Sequence, residues 1–199
     1  MSKALLYIHG KGGNAKEAEQ IKPFCDGYDV HGINLADFTP WGTEKQIQNA
    51  FEMLTRKYDS VSIVGNSIGA YFSMFALQNR SVEKAFFISP ILDMERLILD
   101  MMMWANVTEK ELQEQKAIQT DFGETLSWEY LTFVREHPVH WKTPTVILYA
   151  EHDNMTSRKT VDDFINTHHA KLTVMPNGEH WFHTTEQIAF LVNWLTSVC

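Results

Sequence analysis

Ser67 lies at the centre of the segment Gly65–Gly69, which reads Gly-Asn-Ser-Ile-Gly. A serine hydroxyl is a poor nucleophile at neutral pH unless a base lies beside it. A sharp turn from a strand into a helix exposes the hydroxyl, and it needs residues without a Cβ atom where backbones approach closely. The segment lies between an apolar run and a helical pattern, so we predict that Ser67 is a nucleophile on such a turn.

An imidazole and a carboxylate follow two later apolar runs, at positions from which they could assist Ser67. Asp153 follows the run Thr145–Tyr149, and His180 follows the run Lys171–Met175. An imidazole can take the proton of a serine hydroxyl, and a carboxylate can hold that imidazole in the required tautomer. We therefore predict a catalytic group formed by Ser67, His180 and Asp153.

Other residues compete for these two roles. His183 lies three residues beyond His180 and is an alternative base. Asp93 follows an apolar run that ends near Ser89 and is an alternative acid. A metal site is a further alternative, because four potential ligands lie near the predicted acid and base: His152, Asp153, Glu179 and His180. Their spacing matches no tight ligand motif, so we predict neither a metal nor another cofactor.

A glycine-rich segment, His9–Asn14, follows the first apolar run and reads His-Gly-Lys-Gly-Gly-Asn. Attack on a carbonyl group builds negative charge on its oxygen, which preorganised backbone N–H groups can stabilise. We predict that the donors are the N–H groups of Lys11 and Ile68, with Gly12 as the alternative to Lys11. His9 is expected to support the loop by hydrogen bonds. A phosphate-binding loop is disfavoured because the glycine and lysine spacing of such loops is missing.

These segments need a scaffold that brings the ends of several strands together. Six apolar runs alternate with helical periodicity, which predicts strands buried on both faces of a parallel sheet. The predicted strands are Ala4–Ile8, Tyr28–Ile33, Val61–Val64, Lys84–Ile88, Thr145–Tyr149 and Lys171–Met175. Capping-box spacing predicts three helix starts, at Thr43, Thr108 and Thr184. The carboxyl ends of parallel strands share one edge of the sheet, so the predicted nucleophile, base and acid should meet there.

The stretch from Pro90 to Pro144 interrupts this alternation. It is long enough for more than one helix, contains no clear strand, and carries the apolar segment Met101–Trp104. We interpret it as a small helical cap inserted after the fourth strand, because no linker rich in Pro, Gly or Ser separates it from the rest. The chain is thus predicted to be a single domain over residues 1–199, with an insertion at about 90–144. Two interpretations stay open for the methionine and tryptophan side chains of the insertion. They line an acyl pocket, or they pack as ordinary core between the insertion and the sheet, which is favoured for any single residue.

The charge of the chain argues against a nucleic-acid partner. Its formal net charge is -8 at pH 7, and it has no run of Lys or Arg, whereas nucleic-acid-binding surfaces are basic. No stretch reaches the ~18 apolar residues that a membrane span needs. Cys25 and Cys199 form no metal or redox motif, so we predict reduced thiols and a cytoplasmic location.

Four features in this order resemble the α/β-hydrolase superfamily: the loop His9–Gly13, the turn Gly65–Gly69, Asp153 and His180. The run Ala4–Ile8 directly precedes the first of these features, so the chain looks like a small member that lacks the first two strands. The resemblance implies a three-layer α/β/α sandwich with a mostly parallel six-stranded sheet and a small helical cap.

The resemblance also implies a serine hydrolase. The expected reaction is cleavage of a small-molecule carboxylic ester, with a small or medium apolar acyl group, through an acyl-enzyme. A thioesterase, a peptidase or a C–C hydrolase with the same three residues is an alternative, and a non-catalytic binding protein on this scaffold is another. Asn66 stands before Ser67 where many members have His, but that position lies outside the predicted catalytic residues. The oligomeric state does not follow from the sequence.

Overall fold

The computed structural model describes all residues from Met1 to Cys199. At its centre lies a six-stranded sheet in which every neighbouring pair of strands runs parallel. Numbered along the chain and given in sheet order, the strands are β2 (Asp29–Ile33), β1 (Lys3–Ile8), β3 (Ser60–Asn66), β4 (Ala85–Ile88), β7 (Thr145–His152) and β8 (Lys171–Glu179). The predicted parallel sheet is confirmed, and β3, which leads into Ser67, lies near its middle.

Helices cover both faces of this sheet and complete the predicted three layers. They are α1 (Glu17–Ile21), α2 (Pro40–Thr55), α3 (Ile68–Leu77), α7 (Arg158–His168) and α8 (Thr185–Val198). Helices α2 and α3 pack against each other and against β1 and β3. Residues of α1 and α8 share a separate apolar cluster with alternate residues of the strands. None of the helices combines the length and the apolar character that crossing a membrane requires.

The sequence of β4 is apolar throughout because all four of its residues are buried. Phe86 and Ile88 join the cluster that includes α1 and α8. Phe87 points to the other face, where its ring lies 6.0 Å from the ring of Trp141. Full burial of one phenylalanine contributes about 1.5–3 kcal/mol, so both faces of β4 anchor the sheet next to β3.

Residues Asp93–Val139 form a compact unit of their own. Its elements are α4 (Met94–Trp104), α5 (Glu109–Gln115), β5 (Ala117–Gln119), β6 (Thr125–Ser127) and α6 (Trp128–Glu136). Arg135 of α6 joins the three helices, since it forms ion pairs with Glu95 of α4 at 2.7 Å and Glu109 of α5 at 2.6 Å. That this unit acts as a cap stays a prediction.

The antiparallel pair β5 and β6 corrects one expectation, because the stretch from Pro90 to Pro144 was predicted to contain no strand. Each of these strands has three residues, and Leu126 is the buried one among them. Strands this short show too few alternations of apolar and polar residues to be recognised from sequence.

Two of the three predicted helix starts are confirmed, and one is wrong. Thr108 and Thr184 each form a capping box. Helix α2 instead begins at Pro40, and its cap is Thr39, whose side chain accepts from a backbone N–H of the first turn. Thr43 lies in that turn, and its hydroxyl donates to the Thr39 carbonyl at 2.9 Å. Proline suits the first helical position because its φ is already helical, and so the helix starts one turn earlier than predicted.

The two cysteines meet although they are far apart in the chain. Cys25 is buried after the short 3-10 helix Lys22–Phe24, and Cys199 follows α8. Both thiols are free, and their Sγ atoms lie 2.9 Å apart. The hydrogen bond between them lowers the pKa of Cys25 and, together with burial, raises the pKa of Cys199.

Candidate active site

Ser67 connects the last residue of β3 to the first residue of α3, and its backbone has φ 53° and ψ -120°. A positive φ in a residue with a Cβ atom costs about 1–3 kcal/mol and persists only where its surroundings enforce it. The N–H of Ser67 donates to the carbonyl of Ile88 at 2.9 Å. Its carbonyl accepts from the N–H groups of Ala70 at 3.1 Å and Ile91 at 3.0 Å. These bonds hold the turn that presents the hydroxyl at the end of β3.

The two glycines of the motif are required by the close packing of this turn. A Cβ atom on Gly65 would lie 2.6 Å from the Cα of Ala70. A Cβ atom on Gly69 would lie 2.7 Å from the carbonyl oxygen of His9. Neither position has room for a methyl group, so glycine is needed for α3 to start against the ends of β1 and β3.

Ser67, His180 and Asp153 form one hydrogen-bonded chain. The Oγ of Ser67 lies 2.9 Å from Nε2 of His180, and Nδ1 of His180 lies 2.8 Å from Oδ2 of Asp153. An ionised carboxylate only accepts hydrogen bonds, so Nδ1 carries the imidazole proton and donates it. Nε2 is then left with a lone pair that faces the hydroxyl of Ser67. This is the arrangement that removal of the serine proton requires.

The second oxygen of Asp153 holds the carboxylate in place. Oδ1 accepts from the backbone N–H groups of Met155 at 2.8 Å and Thr156 at 2.9 Å. The side chain of Asp153 is 0% exposed, whereas that of His180 is 18% exposed. Three N–H donors therefore compensate the burial of a negative charge, and the imidazole remains accessible beside Ser67.

Asp153 and His180 are each the first residue after a strand. Strands β7 and β8 both run beyond their predicted ends at Tyr149 and Met175. A register shift in their pairing just after Ala150 lets the extended segments stay side by side. The extensions carry both side chains to the same edge of the sheet as Ser67.

The alternative base and acid have other partners. Nδ1 of His183 donates to the carbonyl of Trp181 at 2.7 Å. Asp93 caps α4, where its carboxylate accepts from the N–H of Arg96 at 2.9 Å. No group of three or more His, Cys, Asp or Glu side chains is arranged to hold a metal ion. The hydrogen bonds to Ser67 thus involve His180 and not His183.

The segment His9–Asn14, which we call the glycine loop, lies against the turn at Ser67. Its preceding strand β1 pairs with β3, with Ile8 opposite Gly65. A Cβ atom on Gly10 would lie 3.2 Å from the Cβ of Ser67. The absence of a side chain at Gly10 is therefore what allows the loop to approach Ser67 this closely.

His9 supports the glycine loop by hydrogen bonds, as expected from the sequence. Its buried Nε2 accepts from the N–H of Leu35 at 3.0 Å, so Nδ1 carries the proton and donates to the carbonyl of Gly10 at 2.7 Å. The predicted oxyanion donors, Lys11 and Ile68, lie on the glycine loop and at the start of α3. Their role stays a prediction.

A group of polar side chains beside the site was missed by sequence reasoning. The hydroxyl of Tyr7 donates to Oε2 of Glu17 at 2.7 Å, and Nδ2 of Asn66 donates to that hydroxyl at 3.3 Å. Oε1 of Glu17 accepts from the N–H of Asn14 at 3.0 Å. Burial, followed by the hydrogen bond to Glu17, raises the pKa of Tyr7 well above its usual range. The hydroxyl of Tyr7 within the otherwise apolar run Ala4–Ile8 was the signal that could have indicated this group.

Solved structures share this fold at low sequence identity. A marine microorganism esterase is 14% identical, with a TM-score of 0.65 over 100% of this chain and 96% of that chain. Alpha/beta hydrolase domain-containing protein 10 from mouse is 15% identical, with a TM-score of 0.71 over 98% and 88%. An α/β serine hydrolase without lid from Xanthomonas campestris is 15% identical, with a TM-score of 0.64 over 98% and 79%. The chain therefore has the α/β-hydrolase fold that the resemblance implied.

Sequence comparison adds a family to this fold. No curated protein sequence matches the chain. The profile of a family described as "Uncharacterised protein family (UPF0227)" matches residues 4–193. That match runs from β1 into α8 and so includes all of the parallel sheet except Lys3. This chain, with its α/β-hydrolase fold, belongs to the family UPF0227.

Proposed function

We propose that the protein is a serine hydrolase that cleaves a carboxylic ester with a small or medium apolar acyl group. The observation that carries the proposal is the hydrogen-bonded chain from Ser67 through His180 to Asp153. The positive φ of Ser67 supports it, because backbone strain of this kind concentrates at functional sites. Ser67 is the nucleophile, His180 the base and Asp153 the acid that orients His180.

Acylation of Ser67 is the first half of the proposed reaction. His180 Nε2 takes the proton of Ser67 as Oγ forms a bond to the ester carbonyl carbon, and the carbonyl oxygen becomes an oxyanion. When the tetrahedral intermediate collapses, the bond to the alcohol oxygen breaks, and His180 gives its proton to that oxygen. The alcohol leaves, and the acyl group remains on Ser67.

Hydrolysis of the acyl-enzyme completes the cycle by the same steps. His180 takes a proton from water as the water oxygen bonds to the acyl carbon. The bond to Oγ then breaks, and His180 returns the proton to Ser67 as the carboxylic acid is released. Asp153 stays ionised throughout and stabilises the imidazolium that forms twice in each cycle.

The oxyanion is the site where backbone donors contribute most to the rate. We assign this role to the N–H groups of Ile68 and Lys11, which come from the start of α3 and from the glycine loop. Removing one such donor from a serine hydrolase typically costs about 10²–10³-fold in kcat. The packing of Gly10 against Ser67 supports this assignment, because it brings the loop close to the reacting carbonyl group.

The preference for an ester is supported by the kinds of protein that share the fold. One is named an esterase and another a serine hydrolase. The proposed partner is a small molecule, and the proposed location is the cytoplasm. The free thiols of Cys25 and Cys199 support that location, because disulfides are rare there. The proposed steps need no cofactor, since every reacting group apart from water and substrate belongs to the chain.

Turnover of p-nitrophenyl acetate, butyrate and octanoate by the purified chain tests the proposal. The wild-type chain should hydrolyse these esters, and Ser67→Ala should lower kcat by about 10³-fold or more. Ser62→Ala is the matched control, because Ser62 is a buried serine of β3 whose hydroxyl has no hydrogen-bond partner. Loss of that hydroxyl should leave turnover and thermal unfolding unchanged.

Labelling with a fluorophosphonate separates the proposal from its alternatives. The folded wild-type chain should react at Ser67, and Ser67→Ala should not. A folded wild-type chain that neither labels nor hydrolyses any ester would overturn the proposal in favour of a binding role. Faster turnover of acyl thioesters or aminoacyl p-nitroanilides than of matched esters would replace the ester by that substrate class.

A further inference from the structure

Tyr7 and Glu17 link the two segments that carry the proposed oxyanion donors. Asn66, the residue before the nucleophile, is held by the Tyr7 hydroxyl. The carboxylate of Glu17 then joins Tyr7 to the glycine loop through the N–H of Asn14. One continuous set of hydrogen bonds therefore runs from the turn at Ser67 to the glycine loop, and none of its members belongs to the proposed catalytic residues.

We propose that Glu17 and Tyr7 are positioning residues that hold the glycine loop at a fixed distance from the turn at Ser67. The inference rests on the proposed function, because it concerns the separation between the N–H groups of Lys11 and Ile68 that bind the oxyanion. A shift of about 1 Å in groups that contact a transition state is enough to cost about 10²-fold in rate. The two residues thus act on the reaction through the loop and do not touch the substrate.

The glycine loop needs a restraint of this kind because of its composition. Gly10, Gly12 and Gly13 give its backbone more freedom than other residues would, and Gly12 has φ 79°. Within the loop, the N–H of Gly13 donates to the carbonyl of Gly10 at 3.1 Å. That bond fixes the shape of the glycine loop, but it does not connect the loop to β3. Gly10 contacts Ser67, and His9 holds the start of the loop. Glu17 and Tyr7 supply a connection by side-chain hydrogen bonds to Asn66 of β3.

The packing around Glu17 shows that its carboxylate fits tightly under the loop. A Cβ atom on Gly13 would overlap Oε1 of Glu17 and lie 3.0 Å from the Cβ of His9. Both carboxylate oxygens of Glu17 are used, one by Tyr7 and one by Asn14. The loop is therefore fixed both by contact and by charge-assisted hydrogen bonds, which are about twice as strong as neutral ones.

The presence of tyrosine at position 7 also supports the positioning role. Its side chain is 3% exposed and belongs to the apolar cluster that includes α1 and α8. A phenylalanine would fill the same space without a hydroxyl that must find partners in the core. The hydroxyl is therefore explained by what it binds, namely Glu17 and Asn66, and not by packing.

The test compares Tyr7→Phe with the wild-type chain in ester hydrolysis. Phenylalanine keeps the ring in the core and removes both hydrogen bonds of the hydroxyl. We expect kcat to fall by about 10- to 100-fold with KM changed less than about twofold, because oxyanion donors act in the transition state and not on bound substrate. Fluorophosphonate titration counts the active sites, so that any unfolded fraction does not enter kcat.

Inhibition by an alkyl boronic acid is a second measurement, and its inhibition constant should not change if Tyr7 has a purely structural role. The boronic acid forms a tetrahedral adduct with the nucleophile and so resembles the transition state. Its inhibition constant should rise in Tyr7→Phe by the same factor by which kcat/KM falls. Glu17→Ala removes both acceptors and should lower kcat at least as much. If Glu17→Ala does not fold, Tyr7→Phe decides the question alone.

Tyr58→Phe is the matched control. The Tyr58 hydroxyl donates to the carboxylate of Asp29 at the start of the edge strand β2, whereas the glycine loop follows the other end of β1. This substitution removes the same kind of bond and should leave kcat and boronic acid inhibition unchanged. A Tyr7→Phe variant that keeps wild-type kcat, even with a lower Tm, would overturn the inference. In that case Ser67-dependent hydrolysis by the wild-type chain still supports the proposed function. If the wild-type chain shows no such hydrolysis, both the positioning role and the proposed function are overturned.

Discussion

Replacing Asp153 with asparagine isolates the role of the buried carboxylate, because the two side chains have nearly the same shape. The amide oxygen should keep the backbone N–H groups of Met155 and Thr156, since leaving them unpaired in a buried place is costly. The amide NH₂ then faces His180 and donates to Nδ1. The imidazole proton moves to Nε2, which can no longer accept the proton of Ser67.

The expected loss lies in the chemical step and not in folding. A base held in the wrong tautomer lowers kcat by about 10³–10⁴-fold. That factor corresponds to about 4–5.5 kcal/mol of transition-state stabilisation at 1.36 kcal/mol for each tenfold change. Asp153→Asn should unfold close to the wild-type temperature, because the same number of backbone donors stays paired.

Asp153→Ala provides the contrast that identifies the cause. It leaves two partly buried backbone N–H groups without acceptors, at about 1–3 kcal/mol each. For a chain of this length the Tm should fall by about 5–20 °C. Activity should be lost in both variants, whereas the large loss of stability should appear only in Asp153→Ala.

Steady-state hydrolysis of p-nitrophenyl butyrate and thermal unfolding followed by circular dichroism measure the two effects. Asp93→Asn is the control, because Asp93 was the alternative acid and is here the cap of α4. It should keep wild-type kcat. The reasoning would be refuted by an Asp153→Asn variant with kcat within tenfold of wild type, or by an equal loss of kcat in Asp93→Asn.

Three further outcomes are expected from other parts of the structure. Gly69→Ala places a methyl group against the carbonyl oxygen of Ile8 and should cost about 1–3 kcal/mol or more in urea unfolding; an unchanged midpoint would contradict the packing of the turn. Ser67→Gly removes the strain of the positive φ at Ser67. It should end hydrolysis and raise Tm by about 2–4 °C for each kcal/mol of strain released. A Tm below that of wild type would show that the turn is not strained. Oxidation by diamide, which takes up the two thiol hydrogens, should join Cys25 to Cys199, whose Sγ atoms lie 2.9 Å apart, and the closed loop should raise Tm. Two titratable thiols remaining in the denatured, oxidised chain would show that the pair does not react, and Cys199→Ser is the control.

The strands of the sheet were predictable because their sequences carry one simple signal. Residues such as Phe86 and Phe87 are buried on opposite faces of β4, and so β4 is apolar without interruption. In a parallel sheet this holds for several strands at once, and their carboxyl ends must share an edge. That rule alone predicts that Ser67, Asp153 and His180 lie at the same edge of the sheet.

The parts that were not predictable depend on side-chain contacts between distant positions. The apolar run of β1 contains the hydroxyl of Tyr7 but does not show that it reaches Glu17 and Asn66, because the three positions come together only when α1 packs against β2. The start of α2 depended on the competition between Thr39 and Thr43 for the cap, which Pro40 decides. The pair β5 and β6 is too short to leave a periodic pattern.

Strand β8 lies at the edge of the sheet and pairs with β7 alone, yet it delivers His180. If β8 and α8 detach, the pairing among the other five strands of this sheet is untouched, and Ser67 keeps its hydrogen bonds to β4 and α3. Such partial openings cost less free energy than global unfolding and expose one cooperative segment at a time. The nucleophile would then have no base, so the proposed chemistry exists only while the last strand in the chain is docked. Undocking of this edge strand would thus separate Ser67 from its proposed base while the rest of the sheet stays paired.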